Sequence, residues 1–439
     1  MAILAGGVVL SLPISGHGHP VPFIDALFTS TSAVCVTGLV TVDTGTTYSW
    51  FGKLFVLLLI QMGGLGYMAS SMVVVLLVGR RVSLWGRVLL REAHGQYDLR
   101  GMVRLTRYIL GFTLVTEATG ALLLTLRFLR LPELMPAQAV AFGIFHSVSA
   151  FCNAGFDLFG PIYGQFSSLT RFAKDVPVNL VITTLIVVGG IGFPVAMELT
   201  SRRKHRLSMH AKVVLTMTAA LLVGGTAVIA IAEWTNPKTL GALPWPHRLL
   251  ASYFQSVTPR TAGYCTLSIG NLHGPTLFFI SMLMFIGTSP AGTGGGIKTT
   301  TAALIVLAAL AALRGRQEPE LFGRRLAAEQ VYRALAVAVL AFLWVNLALL
   351  AMTFTEIGAL RSAGIREDLF IKLLFEVFSA FGTVGLSTGI TPFLSPVGKA
   401  IIMLTMYVGR VGPVTAALIF LRRKPTVERT LPEERLLIG

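Results

Sequence analysis

Charge is scarce in this chain. Only 13% of its 439 residues are Asp, Glu, Lys or Arg, against roughly 25% in an ordinary soluble domain. The shortage is on the acidic side, with 20 Asp and Glu against 36 Lys and Arg. Cysteine appears three times, too few for a disulfide framework. The eight histidines form no HExxH and no Cys/His ligand spacing, so a metal centre of that kind is excluded. With 54% hydrophobic residues and a mean hydropathy of +0.74, there is no room for a sizeable soluble domain. Long apolar runs take its place, at 51–79, 108–126, 176–199, 211–232, 335–354 and 397–421. Each is close to or beyond the roughly 20 residues that cross a bilayer as a helix. This is the pattern of a polytopic membrane protein.

The net charge of +16 invites a nucleic-acid reading, which its distribution excludes. Of the 36 Lys and Arg, 22 fall in four segments, 80–107, 202–212, 314–333 and 422–435. Counting spans puts all four on one side of the membrane. The positive-inside rule makes that side cytoplasmic, together with the C-terminus, and places the chain in the plasma (inner) membrane as a multi-pass protein. The same basic loops suit contact with anionic lipid. Residues 1–12 are apolar without a basic flank or a cleavage site, so they are expected to form a short outer helix rather than a signal peptide.

Four times a short apolar or amphipathic stretch ends in a turn built around one glycine: Ser32-Ala-Val-Cys-Val-Thr-Gly38-Leu, Ser149-Ala-Phe-Cys-Asn-Ala-Gly155-Phe, Val257-Thr-Pro-Arg-Thr-Ala-Gly263-Tyr and Ser379-Ala-Phe-Gly-Thr-Val-Gly385-Leu. The glycines recur after 117, 108 and 122 residues. The repeat divides the chain into four units, 1–95, 96–207, 208–322 and 323–424, with a cytoplasmic tail at 425–439. The runs before the glycines, 23–34, 137–151, 245–257 and 369–381, are too short to span. A helix of about 11 residues covers only about 16 Å. Such a half-helix must dip in and return, and irregular backbone at that depth survives only under cover of protein or around water. Helices entering from outside would aim their negative dipole ends at the axis, which favours a cation there. The expected architecture is all-α, with four helix–pore loop–helix units in pseudo-fourfold array around a central ion pore.

The second helices carry their own mark: Gly63-Gly-Leu-Gly66, Gly189-Gly-Ile-Gly192, Gly295-Gly-Ile-Lys298 and Gly409-Arg-Val-Gly412. Glycine here suits close helix packing. Lys298 and Arg410 stand where other units have glycine, and a charge in an apolar span costs roughly 2.5 kcal/mol or more. In the third unit, glycines and a proline between Gly287 and Lys298 break a run that extends over 275–313; they cannot hold a helix. The stretch from Gly292 to Lys298 looks like a nucleotide-binding loop, but Ile297 stands where glycine is required, and no strand precedes it. Cys35 and Cys152 occupy one repeat position, filled by Gly382 in the fourth unit, and read as small packing residues. Asp157, Glu376, His146 and Ser149 are further polar groups near the turns. They contain no nucleophile–base motif, so no enzyme is expected; Asp157 and Glu376 suit the outer mouth or a brace for the turns.

Together these motifs resemble the Trk/Ktr/HKT superfamily of potassium transporters over essentially the whole chain. With eight expected spans and no additional N-terminal helices, the chain looks most like the membrane subunit of a bacterial Ktr system. The resemblance implies a selectivity filter at Val36, Thr37, Gly38, Asn153, Ala154, Gly155, Thr261, Ala262, Gly263, Thr383, Val384 and Gly385, whose backbone carbonyls hold potassium. It implies a gate at Gly292, Gly294, Gly295, Gly296 and Lys298, with Arg410 constricting the inner pore. It also implies a homodimer on a cytosolic ring of regulatory subunits that bind ATP or ADP, with no covalent cofactor on this chain, potassium as substrate and sodium as candidate activator. A serine at the first filter position accompanies sodium permeation in this superfamily; glycine at all four favours potassium. Two alternatives stay open: a sodium-permeable or potassium/sodium-coupled transporter, and a secondary transporter with broken helices.

Overall fold

The structure, a computed structural model, describes residues 1–66, 99–201, 207–316 and 318–412. The expected spans over 51–79 and 397–421 continue past residues 66 and 412. The basic segments at 80–98, 202–206 and 422–435, and the tail at 425–439, lie outside the described residues.

Among the described residues the regular secondary structure is helical, apart from a two-residue strand pair, Glu320–Leu321 with Arg324–Arg325. A first helix, a short second helix and a third helix recur four times. They are α1 (Ala2–Ser11), α2 (Phe23–Cys35) and α3 (Trp50–Gly64), then α4 (Leu99–Phe128), α5 (Pro136–Phe151), α6 (Val176–Gly190) and α7 (Phe193–Thr200). The second half comprises α8 (Met209–Glu233), α9 (Trp245–Val257), α10 (Gly274–Phe285) and α11 (Thr299–Leu313), then α12 (Ala328–Ser362), α13 (Leu369–Gly382) and α14 (Pro396–Val411). Among the described residues, three helices are long and apolar enough to cross a membrane alone, 105–128 within α4, α8 and α12. The protein is an all-α integral membrane protein.

Local chemistry starts and stops these helices. Side chains of Ser49, Asp175 and Ser395 accept the backbone N–H three residues on and cap α3, α6 and α14, each such cap contributing about 1 kcal/mol. Prolines in the first turn pre-set φ for α5, α6, α9, α10 and α14. The run over 176–199, expected as one span, is two helices bent by 105°. Gly192 takes a left-handed φ of 90° there, and Pro194 in the first turn of α7 prevents the ladder from continuing.

The four triplets close on one another. Helix α3 packs against α5, α6 against α9, α10 against α13, and α14 returns to α2. The short helices are therefore buried by their successors as well as by their own long helices. An aromatic core fills the space between the second and third triplets, where His146 lies 4.6 Å from Phe159 and beside Phe128, Phe142 and Tyr264.

Struts fix each long helix to the start of the helix that follows the turn. Arg127 pairs with Asp175 at 2.7 Å. Glu233 accepts from the His273 N–H at 2.9 Å and the Thr276 hydroxyl at 2.6 Å. Glu356 accepts from the N–H and hydroxyl of Ser395 at 2.8 and 2.5 Å. Each replaces water around a buried charge with fixed donors.

Candidate functional site

The four short helices converge on four turns with one backbone pattern. Val36, Asn153, Thr261 and Thr383 are left-handed, at φ 57°, 59°, 67° and 51°. Two residues on, Gly38, Gly155, Gly263 and Gly385 are left-handed again, at 90°, 68°, 79° and 94°. The residues between, Thr37, Ala154, Ala262 and Val384, are not. Alternating handedness turns successive carbonyls toward one side, where an ordinary strand points them in opposite directions. A non-glycine residue held this way costs about 1–2 kcal/mol; such strain gathers at functional sites.

Hydrogen bonds hold the turns. The N–H groups of Thr37, Ala154 and Val384 donate to the carbonyls of Ser32, Ser149 and Ser379 at 2.7–2.8 Å. The hydroxyls of Ser32 and Ser379 accept from the N–H groups of Gly38 and Gly385 at 2.9 and 3.1 Å. The third turn differs. Pro259 follows the end of α9 at Val257, and Ala262 donates to the Thr258 carbonyl four residues back.

The turns form a closed ring. A Cβ added to Gly38 would meet the Ala154 carbonyl oxygen, one at Gly155 that of Ala262, one at Gly263 that of Val384, and one at Gly385 that of Thr37. Each glycine is thus pressed against the carbonyl of the next turn, and the fourth closes on the first. The twelve residues assigned to the filter from sequence lie together here.

Above the ring lies a cavity of about 270 Å³, lined by the four glycines together with Asp43 and Asp157. Asp157 caps the Phe159 N–H at 3.0 Å, and Asp43 accepts from the Phe166 N–H at 3.0 Å. Glu376 is fully buried and ties down the fourth return loop, through Ser387 at 2.6 Å and Thr391 at 2.7 Å. His146 and Ser149 are taken up by backbone, at Phe142 and Phe156 respectively. Cys35 and Cys152 are buried behind the turns.

Below the ring, glycines of the third helices admit the turns. A Cβ at Gly63, Gly189 or Gly409 would strike the carbonyl oxygen of Val34, Phe151 or Phe381, four residues before each ring glycine. Between α10 and α11, residues 286–298 form a non-helical loop stitched to three neighbours. Ser289 and Thr293 N–H groups donate to the Gly190 and Gly189 carbonyls, Gly296 N–H to the Gly409 carbonyl, and Gly295 N–H to the Thr383 hydroxyl at 2.9 Å. Ile286 and Ile297 pair in parallel at its neck. Added Cβ atoms at Gly294 and Gly295 would meet the Thr261 and Thr383 side chains, so the loop lies directly beneath the third and fourth turns. Lys298 Nζ donates to the Gly294 carbonyl at 2.7 Å. Arg410 donates to the carbonyls of Thr293 and Gly63, joining the first, third and fourth triplets. Gly292, Gly294, Gly295, Gly296, Lys298 and Arg410, far apart in sequence, are brought together here.

Sequence reasoning passed over a second set of polar residues: the struts, the Lys399–Asp25 pair at 2.6 Å, and Glu117. Glu117 accepts from Gln61 at 3.2 Å, and its carbonyl accepts from Ser147 at 2.7 Å. The signal was available, since an acidic residue inside an apolar span requires a partner.

A family profile described as TrkH, cation transport protein, matches residues 4–428. The chain is 40% identical over 421 residues to the Ktr system potassium uptake protein B of Bacillus subtilis, covering 96% of this chain and 90% of that protein. It is 38% identical over 441 residues to the potassium/sodium uptake protein NtpJ of Enterococcus hirae, covering 100% of this chain and 94% of that protein. The solved structure of the potassium transporter TrkH from Vibrio parahaemolyticus superposes with a TM-score of 0.75 over 96% of this chain and 82% of that one, at 15% identity. The fold is shared.

Proposed function

The chain belongs to the TrkH family of cation transport proteins, and from that premise we propose that it takes up potassium through a gated, channel-like pore in the bacterial plasma membrane. The observation that carries this reading is the closed ring of four left-handed glycines, each against the carbonyl of the next turn. An ion entering a narrow path must exchange its water for other oxygens, and rings of backbone carbonyls supply them. Thr37, Ala154, Ala262 and Val384 contribute carbonyls to one such ring. Val36, Asn153, Thr261 and Thr383 supply the layer beneath. The carbonyl ends of α2, α5, α9 and α13 add negative dipole at the same point.

Residues 286–298 are the gate. They lie under the ring, and apart from the Arg410 contact the N–H groups that tie them to neighbouring triplets reach backbone carbonyls and one hydroxyl, so these bonds are exchangeable with solvent at modest net cost, roughly 0.5–1.5 kcal/mol per bond. Lys298 and Arg410 place two cations beneath the ring, where their charge opposes a passing cation. Arg410 holds the closed loop through Thr293 and opens the path when released. A cytosolic ring of nucleotide-binding subunits docks on the basic cytoplasmic segments of a homodimer and drives that release.

The relative named for potassium and sodium uptake supports a second reading, in which sodium also permeates or activates. One experiment addresses both. Expressed in an uptake-deficient strain with its cytosolic partner, the chain should restore growth at low potassium. Reconstituted vesicles should take up rubidium in preference to sodium. Growth without rescue, together with equal fluxes of the two ions, overturns the potassium reading.

A further inference from the structure

Arg260 lies in the third turn, three residues before Gly263, and is 6% exposed. It pairs with no carboxylate among the described residues, and its Nη1 has no hydrogen-bond partner. The guanidinium keeps its proton even when buried, so its charge needs another answer. Two more buried polar atoms share this condition, the hydroxyls of Thr218 on α8 and Thr288 in the loop after α10. All three residues line one small cavity of about 10 Å³, closed on its other sides by Ile186, Val187 and Val257. A space of that order holds one small particle, a water molecule or, with a slight outward shift of the side chains around it, a monatomic ion. A buried polar group left without a partner is destabilising, and more so when charged, so three of them around one cavity mark a binding site.

We propose that this cavity binds a single halide, chloride under cellular conditions, held by Arg260 Nη1 and the hydroxyls of Thr218 and Thr288. The donor set decides between anion and water. Arginine can only donate, and each threonine hydroxyl is free to donate, so the site offers three donors and a net positive charge. A halide accepts all three and cancels the charge; a water would leave the guanidinium uncompensated. The neutralisation has a place in the molecule. The Arg260 carbonyl accepts from Asn153 Nδ2 at 3.2 Å, and Thr261 follows in left-handed conformation. The guanidinium is therefore anchored to the back of two adjoining turns of the glycine ring. The halide lets an arginine brace those turns without placing an unbalanced positive charge beside them.

The test needs no transport, so it stands apart from the function proposed above. The purified protein is studied in bromide, in chloride and in gluconate at equal ionic strength. Expected are an anomalous bromide peak in contact with Arg260, Thr218 and Thr288 in crystals grown from bromide, and a melting temperature a few degrees higher in either halide than in gluconate. That difference should vanish in Thr218→Val, which keeps shape and removes the donor. Thr288→Val serves if the first variant fails to fold. A water-strength peak without anomalous signal, or a melting temperature indifferent to halide, overturns the site.

Discussion

Two of the third helices are broken at the same level, and the breaks differ. Between α6 and α7 the chain turns through 105° over Ile191 and Gly192 alone. Between α10 and α11 it spends residues 286–298. The short break only redirects a helix: its backbone is satisfied within a turn, and Phe193 N–H reaches the Ala291 carbonyl of the long one. The long break carries backbone beneath the glycine ring and bonds to two other triplets. Fourfold likeness therefore holds at the ring and ends immediately below it. The four ring glycines repeat one geometry, as the proposed ion path requires, whereas a single loop serves the proposed gate.

The comparison is broken most severely at the ring. A methyl at Gly385 would meet the Thr37 carbonyl oxygen and hold a side chain at φ 94°, a strain of roughly 1–3 kcal/mol. Gly385→Ala should lower rubidium-over-sodium preference by about tenfold or more, read as isotope uptake into vesicles. Gly192→Ala also places a side chain at a left-handed position, φ 90°, but away from the ring. It should lower the melting temperature and leave ion preference intact; equal loss of preference in both variants would remove the ring from selectivity.

A smaller effect is expected at the long break. Shortening the segment between Pro290 and Ile297 removes the bonds from Thr293, Gly295 and Gly296 to the neighbouring triplets. Basal flux should rise several-fold and the response to nucleotide on the cytosolic partner should weaken. Wild-type flux with intact regulation in the shortened protein would move the gate elsewhere.

Arg410→Ala sharpens the comparison most gently. Its guanidinium joins the long loop to the end of α3 through Thr293 and Gly63. Losing a charged donor to two carbonyls costs roughly 1.5–3 kcal/mol per bond, against which removal of a positive barrier should raise flux. A faster, folded protein identifies the barrier as the larger part; a slower protein with a lowered melting temperature makes Arg410 a brace.

Much of this was readable from residues. The short helices α2, α5, α9 and α13 begin and end within one residue of the expected 23–34, 137–151, 245–257 and 369–381, because repetition marks them four times over. The break between Gly287 and Lys298 was legible through glycine and proline, which punctuate chains strongly. The left-handed state of Val36, Thr261 and Thr383 was not, since β-branched residues disfavour it intrinsically and only the surrounding hydrogen bonds impose it. The bend at Gly192 was missed because hydropathy over 176–199 is continuous and outweighed a single Gly and Pro. The struts were missed for a different reason. Glu233, Glu356 and Asp175 find partners 39 to 48 residues away, or at Thr276 across 43, and periodicity is blind to pairs at that range.

The contact between Lys399 and Asp25 joins residues 374 positions apart. A ribosome adding roughly 5–20 residues per second needs some tens of seconds to traverse that interval. Through all of it α2 is already made while α14, against which it packs in the finished molecule, does not yet exist. Until then the Asp25 carboxylate is without the lysine that answers it in the finished molecule. Biogenesis thus ends where it began. A chain ended before α14 keeps α1 and α3 packed on α2 but lacks both α14 and the lysine that answers Asp25.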